Sequence, residues 1–138
     1  MDWAALIAWI ITAAGGFFLL TIWLRGGGMQ QADRGRIRAP FILTHFALAA
    51  IGLVLWIVYV ANGSDALAWI AFVILLVVAL IGFGMLSIWL KQRRGGVAAA
   101  ETTGAPERQF PPAVVGLHGI LAATTLVLVF LAAIGVGT

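Results

Sequence analysis

The sequence predicts an all-α integral membrane protein, an up-down bundle of four transmembrane helices built from two parallel helical hairpins. Three observations predict it. Hydrophobic residues make up 63% of the 138 residues and charged residues only 9%, far below the roughly 25% charge of a soluble domain. The apolar residues gather in four stretches with no Asp, Glu, Lys or Arg inside them, each near the roughly 20 residues that cross a bilayer. The two halves of the chain also repeat a common pattern. So apolar a composition excludes a soluble enzyme, and it excludes disorder, which requires low hydrophobicity. There is no cysteine, so disulfides, thiolate metal sites and cysteine nucleophiles are excluded as well.

The predicted spans are Trp3–Leu24, Phe41–Ala61, Ala66–Leu90 and Ala113–Val136. Each is apolar on every face, whereas barrel strands would alternate apolar and polar residues. The first connection, residues 25–40, is polar and carries Gly26-Gly27-Gly28 before Pro40. The second, Asn62-Gly63-Ser64-Asp65, consists of strong turn formers. The third, residues 91–112, is rich in Gly, Ala, Thr and Pro, with mobility expected around 95–106. Pro40 and Pro112 fall where helices 2 and 4 begin, and a missing N–H costs nothing in a first helical turn. Short connections favour antiparallel neighbours. The whole chain is thus one membrane domain.

All eight basic residues lie on one side. Arg25, Arg34, Arg36 and Arg38 occupy the first loop, and Lys91, Arg93, Arg94 and Arg108 the third. The opposite side carries Asp2 and Asp65. The positive-inside rule places both basic loops in the cytoplasm and both termini outside, in a plasma membrane of bacterial type. Helix 1 lacks a basic leader and is too long for a signal core, so it reads as retained. Topology and contact with anionic lipid headgroups account for the basic loops. Nucleic acid is not an expected partner, because no aromatic residues interleave with the charges. The triple glycine is not a phosphate loop, since no Gly-Lys-Ser/Thr follows it. Trp3, Trp23, Trp69 and Trp89 lie at or near span ends, as an interfacial aromatic belt would. Trp9 and Trp56 are deeper and suit the bundle interior.

The repeat is carried by rare residues. Thr21-Ile22-Trp23-Leu24-Arg25 ends helix 1 and Ser87-Ile88-Trp89-Leu90-Lys91 ends helix 3, and in the same frame Gly16 matches Gly82. On helices 2 and 4 the matching segments begin at His45 and His118, the only histidines of the chain. Two hairpins in one orientation are related by an axis along the membrane normal, which puts the two histidines at equal depth on opposite sides of the bundle centre. Both lie about 8–9 Å along their helices from Pro40 and Pro112, at 1.5 Å per residue.

Ionisable residues inside a span are functional candidates by default, and counting ligands narrows the chemistry. A protein zinc site needs three or four protein ligands, and no Cys, Asp or Glu shares this depth. Haem iron needs only two, because the porphyrin supplies four nitrogens. Diagonal helices of a square bundle lie roughly 11–14 Å apart, which suits an iron between two imidazoles. Residues at +4 and +7 share a helix face with each histidine. They are Ala49 and Gly52 on helix 2, and Ala122 and Thr125 on helix 4. All are small, and Gly16 and Gly82 add clearance on helices 1 and 3. Arg25, Arg38, Lys91 and Arg108 are candidates to pair with propionates. The second nitrogen of each histidine is expected to donate to a helix carbonyl near Phe41 or Val114, fixing its tautomer. Small residues at these offsets also serve tight helix packing, and a histidine near a span end also bonds to backbone, water or headgroups. A quinone or pigment contact and a pH-sensing histidine pair are further readings.

With His45 and His118 on apolar helices beside a basic edge, the chain resembles the small membrane cytochromes b, the cytochrome b561-like four-helix haem proteins. The resemblance implies a b-type haem with His45 and His118 as axial iron ligands. It implies electron transfer between a cytoplasmic or quinone donor and a partner subunit. That family typically carries two histidine pairs and two haems, and this chain carries one pair. Haem attachment of type c is excluded by the lack of cysteine. No catalytic acid, base or nucleophile lies in the spans, so independent enzyme activity is not expected. The alternative is a cofactor-free accessory or scaffold subunit of a larger membrane complex, or of a homo-oligomer. A transporter would call for a proline break or a charge in a span, and the spans have neither.

Overall fold

The computed structural model describes residues 1–30, 37–94 and 104–137. Among these residues the chain forms four long helices, α1 (Asp2–Arg25), α2 (Ala39–Asn62), α3 (Asp65–Arg93) and α4 (Pro112–Ala133). All four are long and apolar enough to cross a membrane. A short 3-10 turn over Pro106–Gln109 precedes α4.

Local chemistry explains the boundaries. Asp2 and Asp65 sit in the first turns of α1 and α3, with Arg25 in the last turn of α1 and Lys91 and Arg93 in that of α3. Each charge opposes the partial charge of its helix end. Pro40 and Pro112 stand in the first turns of α2 and α4, where no intrahelical donor is missed. Gly63, at φ 70°, closes α2 in the left-handed conformation, and its N–H donates to the Tyr59 carbonyl at 2.7 Å. The α4 helix stops at Ala133, earlier than the hydropathy pattern predicts, because Gly135 turns the chain at φ 82°.

Each helix packs against two others, α1 on α2 and α4, and α3 on α2 and α4. Among the described residues the backbones of α1 and α3, and of α2 and α4, do not approach within 8 Å. The section is therefore a square with α2 and α4 on one diagonal. The closest pairings, α2 with α3 and α1 with α4, join one hairpin to the other. The Met1 amino group donates to the Gly137 carbonyl, so both termini meet at one end. The first and third loops meet at the other.

The terminal half is filled by aromatic rings. Trp9 and Trp56 lie with ring centres 6.4 Å apart, and the Tyr59 ring lies tilted at 4.7 Å from Trp56. The Trp56 Nε1–H donates to the Asp2 carbonyl at 3.3 Å. Ala5, Ala68, Ala71, Leu75 and Val129 close around them. The outer faces, with Ile7, Phe18, Val54, Leu80 and Ile120 exposed, present hydrocarbon to lipid. Trp3 and Trp69 are exposed near helix ends, as belt residues are.

Trp23 and Trp89 are not belt residues. They are only 1% and 5% exposed, because the loops fold back over the bundle end. Gly28 lies so close under the Trp23 ring that a Cβ there would overlap it. The Trp89 Nε1–H donates to the Glu107 carbonyl at 3.0 Å. The Glu107 carboxylate is fully buried and accepts from the Gln92 side-chain amide at 2.8 Å. The Ile37 N–H points to the same oxygen at 3.5 Å. The third loop is thus fixed at residues 104–110, including 104–106 of the 95–106 stretch expected to be mobile; residues 95–103 lie outside the described residues, as do Arg34 and Arg36.

Without a hydrophobic drive between helices in lipid, packing itself carries stability. Trp56→Ala removes a fully buried ring and is expected to destabilise the bundle by about 3 kcal/mol. Trp3→Ala, at a site 68% exposed, is expected to fall within about 0.5 kcal/mol of wild type. Denaturant unfolding in detergent micelles, followed by circular dichroism, checks both.

Candidate functional site

His45 projects inward from α2 and His118 from α4, across the diagonal of the square. Their ring centres are 6.4 Å apart and their planes cross at 68°. The His45 Nδ1 lies 3.0 Å from the Val78 carbonyl on α3, and the His118 Nδ1 lies 3.0 Å from the Thr12 carbonyl on α1. A carbonyl only accepts, so both Nδ1 atoms carry the proton and both Nε2 atoms keep a lone pair.

The same local arrangement produces both bonds. Side chains on a helix tilt toward its N-terminus, so the residue at i+4 shades the carbonyl of residue i. Thr12 stands four residues before Gly16, and Val78 four before Gly82. A glycine at i+4 leaves the carbonyl uncovered, and the imidazole slides in over it. A Cβ on Gly16 would lie 2.9 Å from His118 Cε1, and one on Gly82 would lie 3.0 Å from His45 Cε1. Both separations are well below ordinary contact. The histidine of each hairpin is therefore seated on the glycine helix of the other.

The expected acceptors near Phe41 and Val114 are not the ones used. Side chains that point to the bundle axis meet the neighbouring helix, and the imidazoles bond there to the carbonyls four residues before Gly16 and Gly82.

A cavity of about 480 Å³ surrounds the two rings, within the range of about 300–1,000 Å³ typical of small-molecule sites. Gly16, Gly82, Ala49, Ala122 and Thr125 line it. Its floor is the hydroxyl pair Thr12 and Thr125, 3.0 Å apart, each also bonded to its own i−4 carbonyl at 2.8 Å. Trp9 closes the terminal side, and Ile37, Trp89 and Phe110 close the loop side. Apart from the histidines and the threonine pair, the lining is apolar.

One sequence expectation is corrected. Gly52 does not line the cavity: a Cβ there would lie 3.0 Å from the Trp9 ring and 3.2 Å from Ile74. It makes room for Trp9 and not for a ligand. Arg25, Arg38, Lys91 and Arg108 stand exposed at the loop end, outside the cavity lining. Sequence reasoning missed Glu107, Gln92 and the cap they make. The only signal was one acidic residue and one amide among arginines next to a span.

Comparison with protein-family models, with curated proteins and with solved structures finds no match.

Among the described residues no three His, Asp or Glu side chains gather as a metal-binding group. A bare ion between the histidines would thus find two protein ligands, fewer than zinc sites use. The donor set suits a metal that brings its own equatorial ligands.

The cap makes its own prediction. Glu107→Leu leaves the buried Gln92 amide without its 2.8 Å acceptor, an orphaned group worth about 1–3 kcal/mol. Stability in micelles is expected to fall by that amount. A variant as stable as wild type would show that the cap does not depend on this carboxylate.

Proposed function

We propose that the protein is a membrane b-type haem protein with His45 and His118 as the axial ligands, serving electron transfer. One observation carries the proposal: two imidazoles face each other at 6.4 Å with both Nε2 lone pairs unused by the hydrogen bonds at Nδ1. Metal–imidazole bonds are about 2 Å. With roughly 1 Å more from each nitrogen to its ring centre, two imidazoles on one metal stand about 6 Å apart. A metal-ligating histidine usually donates its other N–H to a carbonyl or carboxylate, as both do here. The small residues Ala49 and Ala122 leave lateral room for a planar macrocycle, while the space at Gly16 and Gly82 is taken by the imidazoles themselves.

Haem, when bound, supplies one-electron redox chemistry. The chain's own residues do the rest. His45 and His118 hold the iron. The carbonyls of Thr12 and Val78 fix and enrich the imidazoles. The apolar walls lower the local dielectric, which raises the weight of every charge inside. Arg25, Arg38, Lys91 and Arg108, all at the loop end, provide a positive field toward the carboxylates of the macrocycle. By the positive-inside rule that end is cytoplasmic and the termini are outside. Electrons would enter and leave near the basic face, from a quinone or a redox partner subunit. Filling of the terminal half by Trp9, Trp56 and Tyr59 supports a single haem per chain.

A visible spectrum of detergent-purified protein, oxidised and then dithionite-reduced, tests the reading. Wild type is expected to show a sharp reduced α-band. His45→Ala and His118→Ala are each expected to lose at least tenfold of it while remaining helical. A wild-type protein that stays colourless after haem supplementation sinks the proposal and leaves the cofactor-free accessory subunit as the better account.

A further inference from the structure

The rings are not merely close. Each is held by a carbonyl at Nδ1 and by a glycine at Cε1, and the arrangement recurs in both hairpins. We propose that Gly16 and Gly82 are positioning residues: by uncovering the carbonyls of Thr12 and Val78 they hold both imidazoles in the Nδ1–H form and hold their planes crossed. The ligand part of this assignment rests on the haem reading, whereas the tautomer part does not.

The argument has three steps. A free neutral imidazole in water favours the proton on Nε2, the nitrogen that would have to bind a metal. The 3.0 Å bonds to Thr12 and Val78 reverse that preference inside the apolar bundle, where a hydrogen bond is electrostatically stronger than in water. The close approach of each Cε1 to a glycine then leaves the ring little room to shift away from its carbonyl. The two planes therefore cross at 68° in a way that the helices impose and a ligand need not. For a low-spin ferric iron between two imidazoles, crossed planes bring the two dπ levels close in energy. The result is a highly anisotropic paramagnetic signal with one isolated low-field feature. Parallel planes separate the levels and give a three-line rhombic spectrum.

Other glycines provide the contrast. Gly84 lies on the same helix as Gly82, yet a Cβ there meets nothing within 4 Å. Gly84→Ala is therefore the matched control for Gly82→Ala.

The first arm of the test uses haem-free protein in micelles with nitrogen-15-labelled histidine. Two-bond and one-bond nitrogen–proton correlations report which ring nitrogen carries the proton. Both rings are expected as Nδ1–H in wild type and in Gly84→Ala. Gly82→Ala is expected to release His45 alone, and Gly16→Ala to release His118 alone. Wild-type rings in the Nε2–H form overturn the assignment. This reading needs no variant, so it survives a glycine variant that fails to fold. Folded glycine variants that keep both Nδ1–H rings overturn it equally.

The second arm is electron paramagnetic resonance of the ferric, haem-loaded protein. Wild type is expected to show the isolated low-field feature, and either glycine variant is expected to shift toward the rhombic form. Identical spectra across the set overturn the positioning role. The two arms separate the two ideas. Nδ1–H rings in a chain that takes up no haem overturn the ligand part together with the cytochrome reading. Nε2–H rings in a chain that does bind haem overturn the glycine assignment alone.

Discussion

The structure depends on a requirement that lipid imposes on histidine. A ring inside a bundle with no water must find partners for its nitrogens in the protein. Both histidines meet half of that requirement with a carbonyl on the neighbouring helix, reached across a glycine. Those two bonds tie α2 to α3 and α4 to α1, the closest helix pairings in the bundle. They cross between hairpins in both cases, so the repeat and the site stand on the same contacts. The other half of the requirement, the two Nε2 lone pairs, faces the cavity.

The repeat is not perfect, and its departures have consequences. Position for position, Trp9 matches Leu75, and Trp56 matches Val129. Two tryptophans from the first hairpin therefore fill the terminal half against smaller residues from the second, and Gly52 yields the space that Trp9 needs. Its counterpart Thr125 instead pairs with Thr12 on the cavity floor. Symmetry is kept where the histidines need it and abandoned where a packed plug is needed. Both departures fill the terminal half, and the cavity lies on the loop side of Trp9.

Much of the arrangement was legible in the sequence. Span lengths and the absence of interior charge fixed four helices. The Trp23/Trp89 frame alone aligns Gly16 with Gly82, and the two histidines stand out by rarity. The cap was not legible. Trp23 and Trp89 at span ends look like belt residues, and only the return of the loop at Pro106–Gln109 buries them. That return depends on long-range partners, Gln92 and Ile37 for Glu107, which no local pattern encodes. The carbonyl acceptors were sought on the wrong helices, because offsets along one helix say nothing about which neighbour lies across the groove. Gly52 misled for the same reason: spacing placed it on the histidine face, and Trp9 arrived from another helix. Arg25, Arg38, Lys91 and Arg108 stand together at the loop end, outside the lining of the cavity.

The central claim is that one pair of imidazoles makes one haem site per chain. Titration of haem-free protein with haemin, with bound haem quantified as its pyridine complex, tests it most directly. The account predicts saturation at one haem per chain, with the histidine variants falling far short. Saturation at two per chain, or uptake that does not saturate and is unchanged in the double histidine variant, would contradict it.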